Sequence, residues 1–351
     1  MPGKTPFTAA PAAAHDIRIA IDTGAAREIL ASLSRPRFQM SDAQVLQDML
    51  PIQLAIKDSG RTEEVFQRDF AAAWDPESRT AVFDFATIRR ERERWQVLLA
   101  AVEAGKGQLE EDARRRVAAL LPGDRVVRTK VRVDISFGLA GLADHLTSAA
   151  PSGDPLIVID LARALGEAEA GPAQNQVTRL VRLIAGETYG EAWTSYRAAN
   201  PAWSRPLPGL GPLEPLVRTV AEAGPVAIFG VEESFFPLST WLKEPMQRSL
   251  NDLNRMGERL LESENDLDTR VALTGELKRP EFRRRVAAPG GAFMEDGIIQ
   301  VFGIDALRQT LAEGPIAFFQ EYDRATKQLR DLPPLSKVIV ERLGAAAGPS
   351  K

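Results

Sequence analysis

The sequence predicts an α+β fold, mainly helical with a small β-sheet, and three observations lead there. His15 to Asp22 alternate apolar and polar residues, as do Val131, Val133 and Ile135 with Lys130, Arg132 and Asp134; both patterns are those of half-buried strands. Leu156-Ile157-Val158-Ile159-Asp160 is a short continuous apolar run, the pattern of a strand covered on both faces. Most of the remaining chain carries helical spacing, above all from Gln174 to Ala199.

Composition narrows the function classes. At 351 residues, with 44% apolar and 26% charged side chains, the chain can bury a substantial core as one large domain or two ordinary ones. A net charge of −4 with interspersed signs gives no footprint for nucleic acid or an anionic membrane. No cysteine is present, which excludes disulfides, thiolate metal sites and cysteine nucleophiles. His15 and His145 are the only histidines, so a His-rich metal site cannot be built, and no Ser-His-Asp arrangement is arguable. No P-loop motif occurs, and no apolar run reaches the ~20 residues of a membrane span. Met1 to Ala14 is rich in proline and alanine without a signal-peptide core, so a flexible tail or the trimmed start of an exported protein is expected.

In order along the chain, a helix is expected from Ser41 to about Lys57, interrupted at Pro51, and another from Thr62 to Trp74. A long helix from about Phe85 to Ala104 carries the run Arg89 to Arg94, read as a solvated face; Arg114–Arg116 and Arg283–Arg285 are read the same way. Leu121 to Asp124 is a turn before the second strand, within 126–135, and Pro151 to Pro155 is a turn before the third. After Ala199, Asn200-Pro201 stops the chain's organising helix, and a helix from Pro215 is expected to break at Gly224-Pro225. Ser234 to Leu238 reads as an apolar turn, followed by one long polar helix from Glu244 to Glu276. Helices near 292–302, 305–312 and 315–322 complete the order, and 344–351 reads as a tail.

Within the organising helix, Val177, Leu180, Val181, Ile184, Thr188, Ala192 and Tyr196 form one apolar stripe. Gly186 and Gly190 fall together on the other face, one turn apart, each costing roughly 1 kcal/mol relative to alanine. Such a cost points to a close backbone neighbour or to lost side chains. With histidine at both glycines the segment would read H-E-T-Y-H, the H-E-x-x-H zinc-protease helix, in which i and i+4 imidazoles share a metal and the glutamate is the general base. Here only the glutamate, Glu187, is present.

The strands, this helix, the helix ending Ala221-Glu222-Ala223-Gly224-Pro225, and the segments Gly290 to Met294, Phe302 to Leu307 and Gly314 to Tyr322 together resemble zinc-dependent peptidases of the gluzincin type, a group that includes bacterial domains of unknown function. The resemblance runs from about His15 to Tyr322. It implies a gluzincin-like scaffold divided as a tail (1–14), a mostly helical region (15–122), a peptidase-like core (123–343) and a tail (344–351). It also implies a third ligand at Ala223, so that Gly186, Gly190 and Ala223 are vacated zinc positions and no metal is expected.

The reading that results is a catalytically inactive relative of zinc peptidases, with Glu187 a relic base and a peptide or protein as the expected occupant of a cleft near Tyr189, Glu191 and Glu222. The alternatives are a metal-independent hydrolase pairing Glu187 with Glu191 or Glu222, and an interaction domain in which the glycines serve close packing. Tyr189 and Trp193 are expected chiefly to pack.

Overall fold

The computed structural model describes residues 15–75, 77, 82–139, 145–166, 173–230 and 240–347. The N-terminal tail and the turn at 234–238 lie outside the described residues. The fold is mainly helical with one four-stranded mixed sheet, and it divides into two compact units. The first unit comprises Ile17–Arg116 and Thr129–Thr188; the second comprises Val117–Arg128 and Tyr189 onward, with His15 and Asp16.

In the first unit, strand β1 (Asp16–Asp22) leads into α1 (Gly24–Leu33), α2 (Met40–Gln47), α3 (Leu50–Asp58), α4 (Glu63–Ala71), α5 (Phe85–Arg90) and α6 (Arg92–Leu120). Strands β2 (Arg128–Ser136), β3 (His145–Ala149) and β4 (Pro155–Asp160) follow, then α7 (Leu161–Gly166) and the first part of α8 (Ala173–Ala199). The sheet order is β1-β2-β4-β3, with β2 parallel and β3 antiparallel to β4. β1 hydrogen-bonds to β2, and the N-terminal helices share a compact unit with residues 129–188.

The two edges of the sheet are treated differently. At the β1 edge, the Ile21 N–H donates to Glu110 Oε1 on α6 at 2.9 Å, and Thr23 Oγ1 to Glu103 Oε1 at 2.8 Å. β3 is the opposite edge, and among the described residues no strand pairs with its outer side. It was missed in the sequence because His-Leu-Thr-Ser-Ala is short and, being an edge, half-exposed to exposed throughout. At the C-terminal end of β4, Asp160 accepts N–H bonds from Leu139, Ala162 and Arg163 at 2.8, 3.0 and 3.2 Å, which starts α7.

Pro51 interrupts the first expected helix by opening α3, where its missing N–H costs nothing. The long helix is split at Glu91 and then runs past Ala104 to Leu120, through Gly105 and Gly107. Buried Val102, Leu109, Ala113 and Val117 hold it there, outweighing roughly 1 kcal/mol per glycine. Arg94 pairs with Glu91 and Arg114 with Glu111, but Arg89 turns inward to the carbonyls of Leu33, Ala73 and Arg35 rather than forming a solvated face. A cluster of Phe66, Phe70, Phe83 and Phe85 fills the helical end, closed by buried Asp69, whose Oδ2 accepts Val82 N at 2.8 Å and Phe83 N at 3.3 Å.

In the second unit, α8 continues to Ala199 and is followed by α9 (Pro201–Ser204), α10 (Glu214–Ala227), α11 (Thr240–Glu262), α12 (Leu267–Leu277) and α13 (Pro280–Phe282). A π-helical turn, Arg283–Ala287, leads into α14 (Ala288–Phe302), then α15 (Ile304–Glu313), α16 (Pro315–Gln328) and α17 (Lys337–Ala347). The expected break at Gly224-Pro225 does not occur: α10 runs on to Ala227. Pro225 sits two residues from its end, so one helical bond is lost in the last turn while Val220, Ala221, Ala223, Gly224 and Pro225 are buried. The single polar helix expected over 244–276 is two, because Asp266 caps α12 through Thr269 N at 3.1 Å. The C-terminal tail begins later than expected, since buried Ile339 and Leu343 anchor a helix through Ala347.

A close backbone contact in this unit lies between α10 and α14. A Cβ placed on Gly291 would stand 2.6 Å from both Gly224 Cα and Val220 O, and one on Gly224 would stand 2.6 Å from the Gly291 carbonyl carbon. These two glycines let the helix backbones touch.

Candidate functional site

The stretch of α8 that the sequence singled out is divided between the units: Gly186 and Glu187 belong to the first, Tyr189, Gly190 and Glu191 to the second. The expected two-faced helix is not observed there. Ile184, Ala185, Gly186, Thr188, Tyr189, Ala192 and Trp193 are all buried, so Gly186 does not look outward. Large aromatics on the second face account for this, a pattern that an aliphatic stripe alone does not reveal.

In the first unit, Glu187 has a partner that sequence distance concealed. His145 Nε2 lies 3.2 Å from Glu187 Oε1, and the two side chains are 27% and 26% exposed. His145 opens β3, where it is registered opposite Ile159 of β4. Strand pairing carries His145 to the helix from a distant part of the sequence. The glutamate thus stands beside an imidazole on the edge strand of the sheet.

In the second unit, Tyr189 is fully buried, its ring against Trp193 and Phe229 with centroids 6.2 and 5.0 Å apart. It packs and does not line a cleft. Trp193 Nε1 donates to Glu222 O at 3.1 Å, and a Cβ on Gly190 would meet first Val226 Cγ1 at 3.7 Å. Residues 190 and 193 of α8 thus face 226 and 222 of α10, an antiparallel contact, and Ala223 is buried. The 3.7 Å separation is ordinary van der Waals contact, so Gly190 does not serve a backbone approach; that role belongs to Gly224 and Gly291. Glu191 is half-buried. Glu222 is ion-paired with Arg197 at 2.8 Å, which ties up the carboxylate that a two-carboxylate hydrolase would need.

The residues do not fit zinc. Gly186, Gly190 and Ala223 supply no donor atom, and among the described residues no group of three or more His, Cys, Asp or Glu side chains converges. Zinc takes roughly four donors at about 2 Å. Glu187 and His145 offer two side chains, already paired with each other.

One titratable residue that sequence reading passed over is Glu295, in the middle of α14. It is fully buried, neither carboxyl oxygen has a hydrogen-bond partner, and burial pushes its pKa well above the ordinary carboxylate range. The Tyr189 hydroxyl is also buried without a partner; burial, then the Glu295 carboxyl, pushes its pKa up. The available signal was an acidic pair, Glu295-Asp296, in an otherwise apolar helical run.

No family model matches the chain, and no curated protein or solved structure is similar to it beyond chance. No helix among the described residues is long and apolar enough to cross a membrane.

Proposed function

We propose that the chain is a catalytically inactive relative of gluzincin-type zinc peptidases that binds an extended peptide. The observation carrying this reading is the contact between Glu187, the relic base position, and His145 on edge strand β3. An edge strand presents alternate N–H and C=O groups to an extended chain, and main-chain pairing supplies affinity with little sequence demand. A peptide added there would pass the His145–Glu187 pair, which can accept or donate to its side chains. Ligand loss on the same helix supports the inactive half of the reading: Gly190 has room for a side chain and Gly186 lies four residues earlier. Every imidazole that zinc would need at these positions is missing, so no step is routed through a metal.

The test uses the full chain, isotopically labelled, titrated with the mixed peptides of a casein digest. The reading expects amide shifts confined to Leu146–Ala149 and the turn of α8 around Glu187, weakened at least several-fold by His145→Ala, with the peptides intact by mass spectrometry. Cleavage above the blank would overturn inactivity. Millimolar peptide leaving the β3 amides unmoved would overturn peptide binding.

A further inference from the structure

The α10–α14 seam holds a buried acid that peptide binding does not use. Gly224 and Gly291 bring the two backbones into contact, and Glu295 lies one turn beyond Gly291 on the same side of α14. Its Oε1 is 3.0 Å from where a Gly224 Cβ would be, so the carboxyl is held along the seam. No water-filled gap can separate backbones this close, and neither oxygen finds a donor.

Among the described residues, no compensating charge faces the carboxyl. From α8, Tyr189 faces the carboxyl with a neutral hydroxyl, while Tyr196 donates to Asp124 at 2.7 Å and Arg197 is taken by Glu222 of α10. Tyr322 of α16 donates to Pro333 O at 2.7 Å. On α15 Arg308 pairs with Asp305, the arginines of the π-helical turn are exposed, and Arg248 of α11 and the neighbouring Asp296 have interactions of their own. Burial raises the pKa of Glu295.

We infer that Glu295 is a protonation switch on the α10–α14 contact: the closed seam holds the neutral carboxyl, and loss of its proton requires the seam to open to water. The two equilibria are then linked. In the closed state the proton is retained; in the open state the carboxyl titrates like an ordinary glutamate, near 4.5. Above that pH the open state releases a proton that the closed state keeps, so opening grows by up to about tenfold per pH unit. The sign is fixed: acid closes, base opens. This inference is independent of peptide binding on β3.

Native-state hydrogen exchange of the full chain from pH 5.5 to 7.5, expressed as protection factors, reads this directly. Amides of Val220–Ala227 and Met294–Ile298 are expected to lose protection approaching a hundredfold over those two units, and Glu295→Gln should abolish the dependence. If the buried amide prevents folding, Glu295→Met, of similar length and apolar, serves as the second variant. An infrared band of a protonated carboxylic acid at pH 7, absent in either variant, is the companion readout. Equal pH dependence in wild type and variant, or no such band at pH 7, would overturn the switch.

Discussion

Alanine at the two kinds of glycine in the second unit should act in opposite directions. At Gly291 a methyl group would be driven to 2.6 Å from Gly224 Cα, 2.6 Å from Val220 O and 2.9 Å from Gly224 N. All three are main-chain atoms of α10, so no rotamer change relieves them, and the seam must part by roughly 1 Å to restore contact near 3.5 Å. Overpacking of this kind costs about 1–3 kcal/mol or more, and a backbone neighbour belongs at the upper end. Helix propensity returns roughly 1 kcal/mol, leaving Gly291→Ala destabilised by about 2 kcal/mol. At Gly190 the new methyl would touch only Val226 Cγ1, at 3.7 Å, so the propensity gain stands and Gly190→Ala should be stabilised by about 0.5–1 kcal/mol. Both positions lie in the same unit, so urea midpoints at constant slope compare them on one transition. A neutral or stabilising Gly291→Ala would refute the backbone seam. A destabilising Gly190→Ala would restore close packing as the reason for that glycine and remove the argument for a lost side chain.

Three other outcomes follow from the same structure. Glu187→Gln should cost no more than ~1 kcal/mol in thermal or urea unfolding, because its pair with His145 is open to solvent; a loss beyond ~2 kcal/mol would mean that the pair belongs to a buried network. Asp69→Asn should destabilise the first unit by about 1–3 kcal/mol, since the buried carboxylate accepts two backbone N–H groups, and a neutral result by urea unfolding would contradict that role. His15 has its pKa lowered, first by burial and then by Arg308, so the native state binds fewer protons than the unfolded chain. Its contribution is complete above pH 6.5 and is lost as pH falls through the lowered native value; His15→Asn should flatten that acid-side decline in melting temperature, and an unchanged decline would assign it elsewhere.

Periodicity made most of the elements legible, because three strands and most helices bury one face or both and carry that burial in their spacing. It failed where tertiary contact overrode a local signal. Pro225 should end a helix, but buried neighbours on α10 carry the helix two residues past it. Glycines 105 and 107 weaken α6, yet the buried face beyond them continues it. β3 was invisible because an exposed five-residue edge has no apolar pattern to read. The candidate site was legible as a helix with two glycines around a glutamate; its partner was not, since only sheet pairing brings His145 to Glu187. Close packing by glycine was anticipated as a type, and the backbone contact is at Gly224 and Gly291 rather than at Gly190, because sequence alone cannot distinguish a glycine with a backbone above it from one with space above it.

The contact between Gly224 and Gly291 also bears on how variation in this chain should be interpreted. A crowded side chain is commonly relieved by trimming its neighbour, so the two positions drift together. Here each partner is already the smallest residue, and the atoms that collide belong to the main chain. No second-site change at the opposing position can compensate for a methyl group at either one. In a saturation library both positions would tolerate almost nothing, independently of each other and without covariation. A map of mutational tolerance would mark them as strongly as catalytic residues, although their role is to set the distance between two helices.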